Sequence, residues 1–401
     1  MKFLSITAAL CAVAPPVAAD GHYSNLLADI GPTRAAEALA TQTTFSPSDH
    51  MALGGLRFLS AVEQALQSRY TYGLSSRELS LTLDLPFLRL TVLDNPSPKS
   101  KPATLIEDIF TSSIATLATA NDALDQVLDN DAVSVRIDLG DIWFDINGNS
   151  RRDPGEDGMI VLADALGEFP NPESDAPVIE FDAADAAWLS AYAHMISGIS
   201  ELVLSTNPSE AFATVFEGAR RIDETRSGPL NQTMFLGQDE IPALDLFATV
   251  VRAIEGPVDP VRSRAARQHI LDGLGDNRVF WSRLRAETDN QDEWIPNDDQ
   301  TSALPLTFPQ GLGDSWEAVL DDVEAVLRGE LLIPHWRLGQ AAGIDLGQLL
   351  QSPPEIDIVG LFQGFTLAPY AKPGKLITFE RMEAFDEMTN GNSPLFAIIL
   401  N

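Results

Sequence analysis

The sequence predicts a mainly α protein, an irregular multi-helix domain with one short β element. Three observations predict it. Proline-led capping signatures recur before apolar runs at helical spacing; only Val133 to Leu139 alternates apolar and polar residues with a clear period of two; and no fixed repeat period runs through the chain, which argues against a solenoid. The 45% hydrophobic content and near-zero mean hydropathy belong to a folded globular chain rather than a disordered one.

The elements follow in order. Met1 to Ala19 reads as a secretory signal peptide, with one charge at Lys2, an apolar run from Phe3 to Ala14, a Pro15-Pro16 break and small residues at Val17-Ala18-Ala19. The expected mature chain, 20–401, is one mainly helical domain that is exported, periplasmic or secreted. Cys11, the single cysteine, lies in that leader after Leu10, where a lipoprotein signal needs a small residue. The mature chain is therefore expected to hold no disulfide and no thiolate metal site. Ser46-Pro47-Ser48-Asp49 starts a helix reaching about Tyr70, with Leu53, Leu56, Leu59, Val62 and Leu66 on its apolar face and Gly54-Gly55 allowing a close neighbour. Leu79 to Leu93 alternates loosely and reads as extended, and the polar, proline-rich stretch from Asp94 to Pro102 reads as a hinge or boundary. Leu105 to Leu128 is again amphipathic helix.

Beyond the strand at Val133 to Leu139, Asp182 caps a long helix carrying a wide apolar stripe from Trp188 to Val203. Asn207-Pro208-Ser209-Glu210 opens the next helix, so the two read as an antiparallel pair. Further helices are expected at about 240 to 254, 259 to 273, 276 to 287, 315 to 328, 344 to 351 and 379 to 389.

Composition bounds the partners. The chain has 26 lysines and arginines against 58 aspartates and glutamates, net −32, so nucleic acid and anionic membranes are repelled and cations attracted. The specific chemistry lies just after the strand, in Asp145-Ile146-Asn147-Gly148-Asn149-Ser150-Arg151-Arg152-Asp153-Pro154-Gly155-Glu156. Side-chain oxygens occupy positions one, three, five, nine and twelve: Asp145, Asn147, Asn149, Asp153 and Glu156. Position seven, Arg151, offers its backbone carbonyl. These residues resemble the EF-hand loop over this stretch alone, and the resemblance implies Ca²⁺ held by six to eight oxygens at ~2.3–2.6 Å with Glu156 bidentate. Three departures narrow it. Ser150 replaces the glycine of position six and must adopt a strained positive φ; Arg152 replaces the apolar residue through which paired loops meet, and no twin loop is visible; the lead-in is strand rather than helix. The expected ion is a lone structural calcium with affinity in the range of extracellular modules, roughly 10⁻⁴ to 10⁻³ M. An Asn- and Gly-rich turn that binds nothing is the alternative.

Other constellations carry less. Asp289 to Glu293 with Asn297-Asp298-Asp299 reads as a solvated acidic loop pinned by Trp294. Arg252, Arg262, Arg264, Arg267, Arg278, Arg283 and Arg285 read as partners of the protein's own carboxylates rather than an anion cleft. Ser190, His194, Ser197 and Glu201 share one helix face and read as solvent-facing or as an inter-helix polar contact. Five scattered histidines form no zinc-hydrolase motif. Gly313-Asp314-Ser315-Trp316 resembles the nucleophile block of GDSL-type hydrolases, but lies late with no Asp-x-x-His after it, so Ser315 or Asp314 reads as a helix cap. Phe181-Asp182-Ala183-Ala184-Asp185-Ala186-Ala187-Trp188 and Trp294-Ile295-Pro296-Asn297 are similar to phrases in uncharacterised secreted bacterial proteins, which implies no activity. The leading expectation is a calcium-binding, non-enzymatic binding or scaffolding protein of the cell envelope. The alternative is an envelope or extracellular hydrolase built from distant residues, with His194 or His335 beside a carboxylate.

Overall fold

The computed structural model describes residues 21–74, 85–129, 132–161, 176–228 and 241–400, with no side-chain description for 241–243; the expected leader and residues 79–84 of the expected extended segment lie outside these residues. The chain is mainly helical, with two small two-stranded sheets among the described residues. Two short helices, α1 (His22–Ile30) and α2 (Pro32–Leu39), hinge at Gly31, whose φ of +73 and close approach to the Trp143 ring both suit a residue without Cβ. The next helix, α3 (Pro47–Thr71), starts at the anticipated capping box: the Asp49 amide donates to Ser46 Oγ (3.1 Å) and the Ser46 amide to Asp49 Oδ2 (2.8 Å).

Helix α4 (Leu105–Leu124) packs along α3, and Gly54 makes this possible, since a Cβ there would stand 2.5 Å from the Leu124 side chain. The exposed 94–102 loop thus lies between two helices that pack on each other. Within the expected extended segment, residues 86–90 instead form turns and bends. The Leu88 and Arg89 amides donate to the Leu85 carbonyl (3.2 and 3.0 Å), and Phe87 has a φ of +63. A strand would send neighbours to opposite faces, whereas Phe87 and Leu88 are both buried. Fully buried Arg69 fixes the turn by donating to the Phe87 and Leu90 carbonyls, each at 2.7 Å.

The predicted strand is β1 (Val135–Asp138), paired antiparallel with β2 (Val178–Phe181), whose four residues carry too little pattern to stand out in sequence. Helix α5 (Ala183–Ser205) is capped by Asp182 as expected and contributes to every apolar cluster of the interior, so its stripe is wide because it is covered on several sides. Its expected pairing with α6 (Pro208–Thr225) is not observed. Helix α6 packs on α7 (Ile241–Ile254) and against α4, while the antiparallel partner of α5 is α8 (Pro260–Leu284), a single helix running through the Gly273 and Gly275 positions where a break was expected. Glycines decide the pairing: a Cβ at Gly198 would lie 3.2 Å from the Ala266 carbonyl oxygen, and one at Gly273 3.1 Å from that of Ala191. Two backbones lie closer here than side chains would permit.

Helix α9 (Leu312–Leu327) begins earlier than its sequence cue, after Gly311 at φ +74 and without a side-chain cap. Asp314 lies in its first turn and binds Arg285 (2.9 Å), so neither Asp314 nor Ser315 is the cap. Strands β3 (Ala342–Ile344) and β4 (Ala371–Pro373) flank short helices α10 (Leu346–Gln351) and α11 (Ile358–Gln363), and α12 (Glu380–Met388) and α13 (Ser393–Leu400) close the chain. The last turn is tied inward, with Trp188 Nε1 donating to the Ile399 carbonyl (2.7 Å) and Asn277 Nδ2 to that of Leu400 (2.6 Å).

Candidate metal-binding loop

The chain enters the loop through Trp143 and Phe144, both buried, and leaves it beside them. The Phe144 amide donates to the Glu156 carbonyl (2.8 Å), the Gly158 amide to that of Ile142 (2.8 Å), and Trp143 bridges to Asp157 before the chain turns helical at 158–161. The setting is thus strand-like entry, loop, helical exit. Trp143 Nε1 donates to the Leu27 and Ala28 carbonyls (3.1 and 3.0 Å), fastening the entry to α1.

Inside the loop the polar residues are wound around one another. The Ser150 amide donates to Asp145 Oδ2 (2.9 Å), the Asn149 amide to Asn147 Oδ1 (3.0 Å) and the Arg151 amide to Asn149 Oδ1 (2.8 Å). Ser150 stands in the left-handed region at φ +65, the positive value expected of it from the sequence. Asn147 Nδ2 and Asn149 Nδ2 both donate to Asp153 Oδ2 (2.8 and 2.5 Å), and these bonds hold the Asp153 carboxyl below its ordinary range. Glu156 is fully buried and accepts from the Asn147 amide at Oε1 (3.2 Å) and the Asp153 amide at Oε2 (2.8 Å). Burial raises its carboxyl above the usual range, and the Asp145 and Asp153 charges add to that rise. Asp145 is 8% exposed, and its Oδ1 is buried without a hydrogen-bond partner.

Helix α3 supplies two residues that local sequence reasoning missed. The Asp145 amide donates to Glu63 Oε2 (2.9 Å), and Gln67 Nε2 donates to the Asp145 carbonyl (2.8 Å). Glu63 is 3% exposed, and burial, with the Asp145 charge adding to it, lifts its carboxyl more than its hydrogen bonds lower it. The available signal was a glutamate interrupting the apolar stripe between Val62 and Leu66. Arg34 Nη2 reaches the Ser150 carbonyl (3.3 Å). Arg152 turns away from the loop centre onto Asp157 and the Gly140 carbonyl (2.9 Å), which gives position eight a partner within the same chain.

The loop therefore gathers Asp145, Asn147, Asn149, Asp153 and Glu156 in one winding, with Arg151 exposed at its rim. Its carboxylates face backbone and amide donors: among the described residues no group of three or more histidine, cysteine, aspartate and glutamate side chains is placed to hold a metal. Three buried carboxylates, Glu63, Asp145 and Glu156, lie around the loop entrance, and one of their oxygens has no donor.

The remaining candidates resolve differently. Arg262 Nη1 donates to both carboxylate oxygens of Glu201 (each 3.0 Å), and Arg278 pairs with Asp321 and Glu324, Arg283 with Asp129, and Arg285 with Asp314 and Glu317. Arg264 and Arg267 donate to the Gln351 and Leu327 carbonyls (3.2 and 2.8 Å), so these six serve the protein's own surfaces. Ser190, Ser197 and Glu201 are buried against α8, an inter-helix polar contact rather than a solvent face. There His194 Nδ1 meets His269 Nδ1 at 2.9 Å, while its Nε2 stands 3.9 Å from Asp276 Oδ2, which already accepts from Ser190 Oγ (2.8 Å). Such a serine points at the acid rather than at a histidine base. His335 accepts from the Arg337 amide through Nδ1 (3.2 Å) and lies beside Trp336. Trp294 packs against Trp188 and Phe181, with ring centroids 5.5 and 6.0 Å apart, and anchors the acidic loop as expected. No protein-family model, curated protein or solved structure matches the chain.

Proposed function

We propose that this protein binds one calcium ion in the Asp145–Glu156 loop and that the ion is structural, in an exported binding or scaffolding protein of the cell envelope. The supporting observation is the buried, unpartnered Oδ1 of Asp145, in a loop already wound through a left-handed Ser150. A divalent cation would satisfy that oxygen and offset the charge shared by Asp145, Glu156 and Glu63. Asp145, Asp153 and Glu156 would supply carboxylates, Asn147 and Asn149 their amide oxygens, and Arg151 its carbonyl. The asparagines would first release the Asp153 carboxylate, and Glu156 would exchange amide donors for the ion. Calcium suits such a flexible set of oxygens better than magnesium, which demands near-octahedral geometry. The location rests on the composition of the leader. Among the described residues no helix is long and apolar enough to cross a membrane.

Calorimetric titration with calcium and thermal melting of the chain from Asp20, beside Asp145→Ala and Glu156→Ala, test the reading. A heat of binding with a dissociation constant of roughly 10⁻⁴ to 10⁻³ M, and a melting temperature that climbs with calcium, are expected for the unaltered chain. Both substitutions should abolish the heat. Absence of heat and of any melting shift at millimolar calcium would refute the assignment.

A further inference from the structure

A cavity of about 500 Å³, unrelated to the loop, lies between the C-terminal half of α5, the α6–α7 pair and the buried turn at Leu85 to Leu88. Close-packed interiors do not leave spaces of this size, whereas small-molecule sites span ~300–1,000 Å³. Its walls are hydrocarbon. Ile199, Leu202 and Val203 come from α5; Phe212 and Phe216, stacked with centroids 4.0 Å apart, from α6; Leu246, Val250 and Ala253 from α7.

The few polar atoms of the wall decide what fits. Thr206 Oγ1 donates to the Val203 carbonyl (2.7 Å) and Thr249 Oγ1 to that of Asp245 (2.8 Å), so both hydroxyls spend their protons within their own helices. The two charged lining residues, Lys101 and Asp245, are of opposite sign and favour neither an anionic nor a cationic head. At a net charge of −32, the protein's field repels a free carboxylate approaching the cavity. We propose that this cavity binds a neutral molecule with a single long hydrocarbon chain, carrying at most a hydroxyl-sized head.

The test uses the full chain from Asp20 and the fluorescent apolar probe N-phenyl-1-naphthylamine, with dodecanol and dodecanoate as competitors. Expected are a saturable rise in fluorescence at one equivalent, displacement by dodecanol, and displacement by dodecanoate at least ten-fold weaker. Val203→Phe and Ala253→Phe, which fill the lumen from two sides, should each weaken the probe at least ten-fold while melting at or above the unaltered temperature. Trp336→Ala, which removes an exposed indole that does not line the cavity, should leave binding unchanged. Should one filled variant fail to fold, the other carries the comparison, and native mass spectrometry of the unaltered chain with dodecanol must still show a one-to-one complex. No saturable signal, equal binding by the filled variants, or loss of binding on Trp336→Ala overturns the site. Equal displacement by dodecanoate overturns the neutral head.

Discussion

Ser150→Gly separates a preformed loop from one that calcium must wind. Ser150 sits at φ +65 with its side chain exposed, and its amide and carbonyl make the bonds to Asp145 and Arg34, so the substitution removes no interaction of the structure. Left-handed backbone costs an L-residue about 1–2 kcal/mol, which glycine avoids. Glycine's greater freedom in the unfolded chain returns about 0.5–1 kcal/mol of that gain. The net expectation is stabilisation of the calcium-free protein by about 0.5–1 kcal/mol, read as a raised urea midpoint at constant slope in the presence of a chelator. Because the strained angle already exists without the ion, the calcium dissociation constant should change less than about two-fold. The opposite pattern, unchanged calcium-free stability with about five-fold tighter binding, would mean that residue 150 turns left-handed only on binding, and the preformed loop would be refuted.

Two further expectations concern the frame. Gly273→Ala sets about 1 kcal/mol of helix propensity against a Cβ 3.1 Å from the Ala191 carbonyl oxygen and should destabilise by about 1 kcal/mol net, whereas Gly275→Ala, with no atom within 4 Å of its new Cβ, should stabilise by a similar amount; urea midpoints moving in the same direction would contradict the helix contact. Glu287 is pushed up to about 9, chiefly by burial and then by Asp182, so the folded state keeps a proton that the unfolded state surrenders near its ordinary value of 4.5. A raised folded pKa makes stability fall as pH rises from about 4.5 to about 9. Glu287→Gln should flatten that fall and exceed the unaltered chain by about 1–3 kcal/mol at pH 9, after allowance for solvent around a half-buried group; identical melting profiles from pH 5 to 9 would show that Glu287 ionises normally.

Local chemistry made the helix starts legible. Ser46 and Asp182 build their capping boxes with the very acids three residues on, Asp49 and Asp185, because a capping box is complete within four residues. Partners across the fold were not legible. Asn207 does begin a helix, yet which helix covers α5 depends on Gly198 and Gly273 meeting carbonyls some seventy to eighty residues away, and a glycine looks alike whether it breaks a helix or admits a neighbour. The Leu85 to Leu88 turn failed as a strand for a related reason: the group that dictates it is Arg69, whose guanidinium needs two carbonyls facing one way.

The loop divides along the same line, and the division bears on what its ion would do. Asp145 to Glu156 announced their oxygens by spacing, and Ser150 obeyed the register despite the absence of glycine. Glu63 and Gln67 grip Asp145 by its amide and carbonyl from another element, and Trp143 fastens the same entry to α1. Because Asp145 is held on both sides before any ion arrives, binding has little freedom to move α3 relative to α1. The Arg152 bonds to Asp157 and Gly140 likewise close the exit within the chain, where a paired loop would lean on its twin. On the proposed reading, a cation bound here would hold α1, α3 and the β1 exit together, the behaviour of a structural site rather than of a sensor.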